Sequence, residues 1–216
     1  MAMRAWPDPP ILVITDRKQC PESIEARAAA LFRGGCRFLS LREKDLPPAE
    51  RLDLLRRLAT LGGAFGATLC VHDDIAAAQA CGTALHLPAD GDAARARNAL
   101  GPGGLIGQSC HSRAEISAAA AAGINYVTMG PVFATASKPG YTPAETLTEA
   151  MAGIRLPILA LGGITLDTLR HLPPGLDGVA VMGAAMTAPD PERWFADLQA
   201  VWRGLKIGSA QGAGFS

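Results

Sequence analysis

Aromatic residues make up only 5% of this 216-residue chain, and there is no net charge, 20 basic side chains standing against 20 acidic ones. The balance excludes the electrostatic footprint of a nucleic-acid or anionic-membrane binder, which needs a surplus of Lys and Arg. A small anionic ligand stays open, because a few local cations suffice for it. No apolar run approaches the ~18 residues of a membrane span, and Met1 to Pro10 lacks the apolar core of a signal peptide. The five cysteines, Cys20, Cys36, Cys70, Cys81 and Cys110, are odd in number and widely spaced. They fit reduced thiols packed as small hydrophobes better than a disulfide framework or a zinc knuckle, so a cytoplasmic location is expected.

What the chain has is regular alternation. Short β-rich runs at Ile11–Thr15, Phe38–Leu41, Ala67–Val71, Ala84–Leu87, Leu105–Gln108, Tyr126–Met129, Pro157–Leu161 and Gly178–Met182 are each followed by a stretch with helical spacing. Helices are expected near residues 22–32, 48–61, 75–81, 93–100, 113–122, 144–154, 166–172 and 191–203, several closed by glycines such as Gly82 and Gly123. Eight strand–helix units of ~25 residues, joined by right-handed crossovers, predict a (β/α)8 TIM barrel, with a doubly wound open sheet as the rival. The expected domain is residues 1–204, with a disordered tail at 205–216.

In such a barrel the C-terminal strand ends share one mouth. Arg42 and Lys44 sit two apart at the second strand end, so alternation puts both on one side, where they can grip a pyrophosphate or simply belong to a solvated loop. Asp73 follows the third strand and reads either as a helix cap or as a hard oxygen ligand for Mg²⁺; Asp90 and Asp92 stand in the next loop as second carboxylates. Gly162 and Gly163 follow the seventh strand and Met182 and Gly183 the eighth, where barrels commonly hold a monophosphate on backbone N–H groups. Ser109, His111, Thr135 and Lys138 fall at the fifth and sixth strand ends. His86, inside an apolar strand, reads as a satisfied core histidine.

Three blocks in order, Leu41-Arg42-Glu43-Lys44-Asp45-Leu46, Gly130-Pro131-Val132-Phe133 with Thr135 and Lys138-Pro139, and Leu161-Gly162-Gly163-Ile164, resemble the thiamine phosphate synthase family and its TenI-like tautomerase paralogues. The resemblance runs from Ile11 to about Trp202. It implies a cytoplasmic transferase of thiamine biosynthesis that condenses hydroxymethylpyrimidine diphosphate with thiazole phosphate, using Mg²⁺ and releasing pyrophosphate. Arg42, Lys44 and Lys138 would hold the diphosphate, Asp73 with Asp92 or Asp90 the metal, and Thr135 and Ser109 would lie near the reacting groups. Gly163, Met182 and Gly183 would bind the thiazole phosphate. Its partners would be small phosphorylated molecules, with neither nucleic acid nor membrane, and homo-oligomerisation is left open.

The chain departs from the family pattern at Ser40, where Gln is usual, at His72, where Asn is usual, and at Ala89, which replaces another Gln. Ser40 and His72 fall on pyrimidine recognition and diphosphate contact. A protonated His72 would strengthen the anion contact, most at low pH. Pro131 stands where the tautomerase branch carries its acid/base histidine, which favours the synthase over the alternatives, a tautomerase or a non-catalytic ligand-binding paralogue.

Overall fold

The computed structural model describes residues 6–134 and 146–212, so Thr135 and Lys138 lie outside the described residues. Eight parallel strands close into a barrel in sequence order, each pairing with the next and the eighth with the first. They are β1 (Ile11–Ile14), β2 (Phe38–Leu41), β3 (Thr68–His72), β4 (Ala84–Leu87), β5 (Ile106–Cys110), β6 (Tyr126–Met129), β7 (Ile158–Leu161) and β8 (Gly178–Val181). Between them run α1 (Ile24–Arg33), α2 (Pro48–Gly63), α3 (Ile75–Cys81), α4 (Ala93–Leu100), α5 (Arg113–Ala121) and α6 (Leu147–Met151). A 3-10 turn (Thr168–His171) follows β7, and α7 (Gly183–Thr187) and α8 (Pro191–Gly212) follow β8. The TIM barrel expected from the alternation is the observed fold.

The strands are buried on both faces, and alternation sorts their side chains. Ile11, Val13, Leu39, Leu69, Val71, Leu85, Val127 and Val179 pack outward against the helices. Leu12, Ile14, Phe38, Cys70, Ala84, Tyr126, Leu159 and Ala180 fill the barrel, with Trp6 packed beneath them. The Tyr126 ring takes the central space because Gly107 opposite has no side chain, and a Cβ there would stand 2.1 Å from Tyr126 Cζ. Two residues further along five of the eight inward rows the filling turns polar, at Ser40, His72, His86, Ser109 and Thr128, while Ile14, Leu161 and Met182 keep the other three apolar. That polar layer is the floor of the mouth.

Local differences from the expected elements have physical causes. The 166–172 helix shrinks to the 3-10 turn because Thr168 Oγ1 donates to Gly163 O at 2.7 Å and Thr168 N to Thr165 Oγ1 at 3.2 Å, while Pro173 stops propagation. Helical backbone in α8 runs on to Gly212, past the boundary expected at Gly204, with Lys206 Nζ 4.9 Å from the Trp202 ring centre and bonded to Leu176 O. β3 begins and ends one residue later than expected, which places His72 in the strand.

Candidate active site

Arg42 and Lys44 leave the end of β2, Arg42 half-buried and Lys44 exposed, and among the described residues neither side chain has a hydrogen-bond or ion-pair partner. Glu43 between them points the opposite way: it is 2% exposed and bound to Arg17. The alternation expected from sequence therefore holds beyond the strand. Arg42 N donates to Thr15 Oγ1 at 3.0 Å, and Thr15 N to Ser40 O at 3.0 Å, which makes the buried Thr15 a tie between the first two strand ends.

His72 at the end of β3 stacks on His86 of β4, ring centres 5.8 Å apart, and its Nε2 is buried without a partner. Burial, then His86 and the cations Lys44 and Arg42, push its pKa down to about 3. These causes favour the neutral imidazole in the free protein, because a buried site beside two cations solvates an imidazolium poorly. It then offers one neutral hydrogen-bonding group; the protonated anion contact expected from the sequence concerns the diphosphate-bound protein.

His86, 3% exposed, is satisfied on both nitrogens, with Nδ1 3.1 Å from Tyr126 OH and Nε2 3.1 Å from Ser109 Oγ. Thr128 Oγ1 joins the chain 3.4 Å from His86 Nε2, and Cys70 Sγ closes it 3.9 Å from Tyr126 OH. Ser109 is thereby oriented from below. Ser40, 2% exposed, lies opposite Cys70 in the register of β2 and β3, which puts it in the floor.

Asp73 has φ 53, a left-handed conformation rare outside glycine but tolerated by Asp and Asn, held by Asp73 N donating to His86 O at 2.9 Å. The cap of α3 is Asp74, which accepts from Ala77 N at 2.9 Å and pairs with Arg51 at 2.6 Å. The capping alternative for Asp73 therefore fails, and its exposed carboxylate has no partner among the described residues. Asp92 does cap, Oδ1 accepting from Arg95 N at 2.9 Å; among the described residues its Oδ2 is unengaged and the exposed Asp90 has no side-chain partner. Gln108 Nε2 secures their loop by donating to the Pro88, Ala89 and Gly91 carbonyls at 3.3, 3.2 and 3.1 Å. Among the described residues no group of three or more His, Cys, Asp or Glu could cage a metal. The donor set still fits Mg²⁺, which takes hard oxygens and commonly one or two carboxylates completed by substrate phosphate.

Across the mouth, Gly162 and Gly163 have φ 100 and 66, and the chain from Pro131 to Ala134 lies against them. Val132 N donates to Leu161 O at 2.9 Å and Phe133 N to Gly162 O at 3.2 Å, so a Cβ on Gly163 would stand 2.7 Å from Ala134 O. Gly163 N donates to no carbonyl among the described residues. Gly183, after Met182, opens α7, where a first-turn N–H has no intrahelical partner. His111 fixes the neighbouring loop by donating Nδ1–H to Gly130 O at 2.6 Å. Residue types alone could not reveal the two-sided His86 chain or the Arg17 contacts, because both depend on register between distant segments.

A closed parallel barrel that leaves, among the described residues, two cations without partners on one side of its mouth and glycine turns after β7 and β8 on the other belongs to the (β/α)8 class, in which phosphate sites commonly form after the last two strands. Residues 11–185 match the family model for thiamine monophosphate synthase. The chain is 38% identical over 177 residues to a thiamine-phosphate synthase of Thioalkalivibrio sulfidiphilus, covering 79% of this chain and 84% of that protein. It is 36% identical over 198 residues to one of Roseiflexus castenholzii, covering 84% and 83%. A thiamine phosphate pyrophosphorylase structure from Pyrococcus furiosus superposes with a TM-score of 0.81 at 27% identity, covering 90% of this chain and 96% of that one. The chain belongs to the thiamine monophosphate synthase family.

Proposed function

We propose that the protein joins hydroxymethylpyrimidine diphosphate to thiazole phosphate, giving thiamine phosphate and pyrophosphate. The observation that carries this reading is the meeting, at neighbouring strand ends, of two unpartnered cations, Arg42 and Lys44, with an exposed, unpartnered carboxylate, Asp73. Breaking the carbon–oxygen bond sends the electron pair out with pyrophosphate and leaves a pyrimidine cation, which the thiazole nitrogen attacks. Catalysis is then mostly stabilisation of the departing anion plus positioning.

Arg42 and Lys44, with Lys138 from beyond the described residues, take the growing charge on pyrophosphate. Asp73 with Asp92, or with Asp90 in its place, would hold Mg²⁺, which when bound supplies further neutralisation of that charge. Neutral His72 offers Nε2 to the pyrimidine or its diphosphate, Ser109 and Thr135 stand near the reacting groups, and Ser40 shapes the floor. Gly162, Gly163, Met182 and Gly183 receive the thiazole phosphate on backbone N–H groups. One barrel domain, residues 1–204, carries the whole site, with a cytoplasmic setting supported by five free cysteines.

Pro131 in the loop after β6 removes the titratable side chain that a proton-shuttling isomerase needs there. Incubation with both substrates, with and without a chelator, tests the reading. Thiamine phosphate should appear only without the chelator; turnover of a thiazole compound alone, with no metal, would replace it with the tautomerase.

A further inference from the structure

Arg42, Glu43, Lys44 and Asp45 alternate in sign, so the segment has no net charge and attracts an anion only if its signs are separated in space. We propose that Arg17, in the loop after β1, is the positioning residue that performs this separation, drawing both acids away from the mouth and leaving both cations on it; the inference rests on the diphosphate reading above. Glu43 accepts from Arg17 N at 3.1 and 3.2 Å on its two oxygens and from Arg17 Nη1 at 3.2 Å. Asp45 takes the other face of the same guanidinium, Oδ1 from Nη1 at 2.5 Å and Oδ2 from Nη2 at 2.9 Å. Lys18 Nζ adds a contact to Asp45 Oδ2 at 3.0 Å.

The planar fork explains why an arginine suits this place: it holds Asp45 with two parallel bonds while its own backbone N–H and one fork nitrogen hold Glu43. Arg17 and Lys18 compensate the two acids, so Arg42 and Lys44 remain as the surplus. A second observation agrees. Lys44 is exposed and Arg42 half-buried, with no hydrogen bond or ion pair from either side chain among the described residues, whereas the intervening Glu43 is buried against Arg17. Glu43, 2% exposed, anchors the arrangement, whereas Asp45 is 42% exposed and only trims it.

Glu43→Gln and Asp45→Asn separate positioning from simple charge. Each deletes a negative charge beside an anion site, so charge alone would tighten pyrophosphate binding. Positioning requires the opposite sign: about tenfold weaker binding for Glu43→Gln and about threefold for Asp45→Asn, because released cations lose their fixed geometry. The measurement is calorimetric titration of the full chain with inorganic pyrophosphate and Mg²⁺, alongside thiazole phosphate, whose affinity should move less than about twofold. Arg17→Lys, which keeps charge but loses the fork, should fall with Glu43→Gln.

Should Glu43→Gln fail to fold, the exposed Asp45→Asn gives the same sign test. Unchanged or tighter pyrophosphate binding in the folded variants overturns the role of Arg17 and leaves the proposed function standing. A wild-type protein that binds thiazole phosphate but no pyrophosphate overturns both.

Discussion

Under the proposed function, the two sides of the barrel mouth would meet anions with different chemistry. At the ends of β2 and β3 the means are side-chain charges, Arg42 and Lys44, exposed by ion pairs that occupy the intervening acids. After β7 and β8 the glycine turns carry no charged side chain, and what they offer is backbone N–H groups, exposed after β7 by the positive φ of Gly162 and Gly163 and after β8 by the first turn of α7. Charge acts at a distance and is screened by salt, while backbone donors act only in contact and resist side-chain substitution. The first arrangement suits a leaving group whose charge grows during reaction. The second suits a phosphate that stays constant and serves as a handle.

The largest effect that would break this contrast is expected at Asp73. Asp73→Asn should lower Mg²⁺-dependent turnover about 1000-fold or more, since a neutral amide is a poor ligand for a hard cation. Its melting temperature should hold, because Asp74 is the cap and Asn tolerates the φ of 53. Full activity with a lowered melting point would make Asp73 structural. Parallel Asp92→Asn and Asp90→Asn variants identify the second carboxylate, and asparagine at 92 keeps the cap of α4.

Next comes Lys44→Ala. Loss of one charge-assisted contact to the departing anion should cost ~2 to 4 kcal/mol of transition-state stabilisation, or ~30 to 1000-fold in kcat/KM. Pre-steady-state measurement should place the loss in the chemical step, and near-normal turnover would remove the charged clamp from the mechanism. A smaller effect is expected opposite, at Gly163→Ala. Its φ of 66 and the 2.7 Å approach of Ala134 O force the turn to shift, at about 1 to 3 kcal/mol of stability. KM for thiazole phosphate should rise while pyrophosphate affinity stays put; equal changes in both would erase the division between the two sides.

Legibility in the sequence follows the same division. The eight strands could be read because double burial writes each as a short apolar run between glycines and polar loops, and the exposure of Arg42 and Lys44 around a buried Glu43 agrees with the alternation expected there. Asp73 and Asp74 could not be told apart as cap and free carboxylate, since both fit the spacing and only the backbone decides. The surroundings of His72 could not be read either, because no local signal reports that His86 stacks on it or that burial lowers its pKa. Arg17 was invisible for a similar reason: it lies 26 residues from Glu43 in sequence, and only the pairing of β1 with β2 brings them together.

The smallest expected effect concerns the histidine pair in the floor. Burial is the first cause that lowers both, His72 to about 3 and His86 to about 4, against an unfolded value of about 6.5. Folded values below the unfolded one mean that, as pH falls through about 6.5, the unfolded chain takes up protons before the native one. The stability these groups contribute is therefore complete above about pH 6.5 and drains away as pH falls toward 4 and then 3. The wild-type melting temperature should fall between pH 7 and pH 4.5, and His72→Asn should flatten that slope by more than about 3 °C, the response of a domain this size to about 1 kcal/mol. The pyrophosphate side should behave differently: with His72 neutral throughout, the ratio of wild-type to His72→Asn affinity should stay constant from pH 7.5 to 6. A ratio that climbs on acidification would mean that the bound anion draws a proton onto His72, which would add a third, switchable charge to the side now assigned to Arg42 and Lys44.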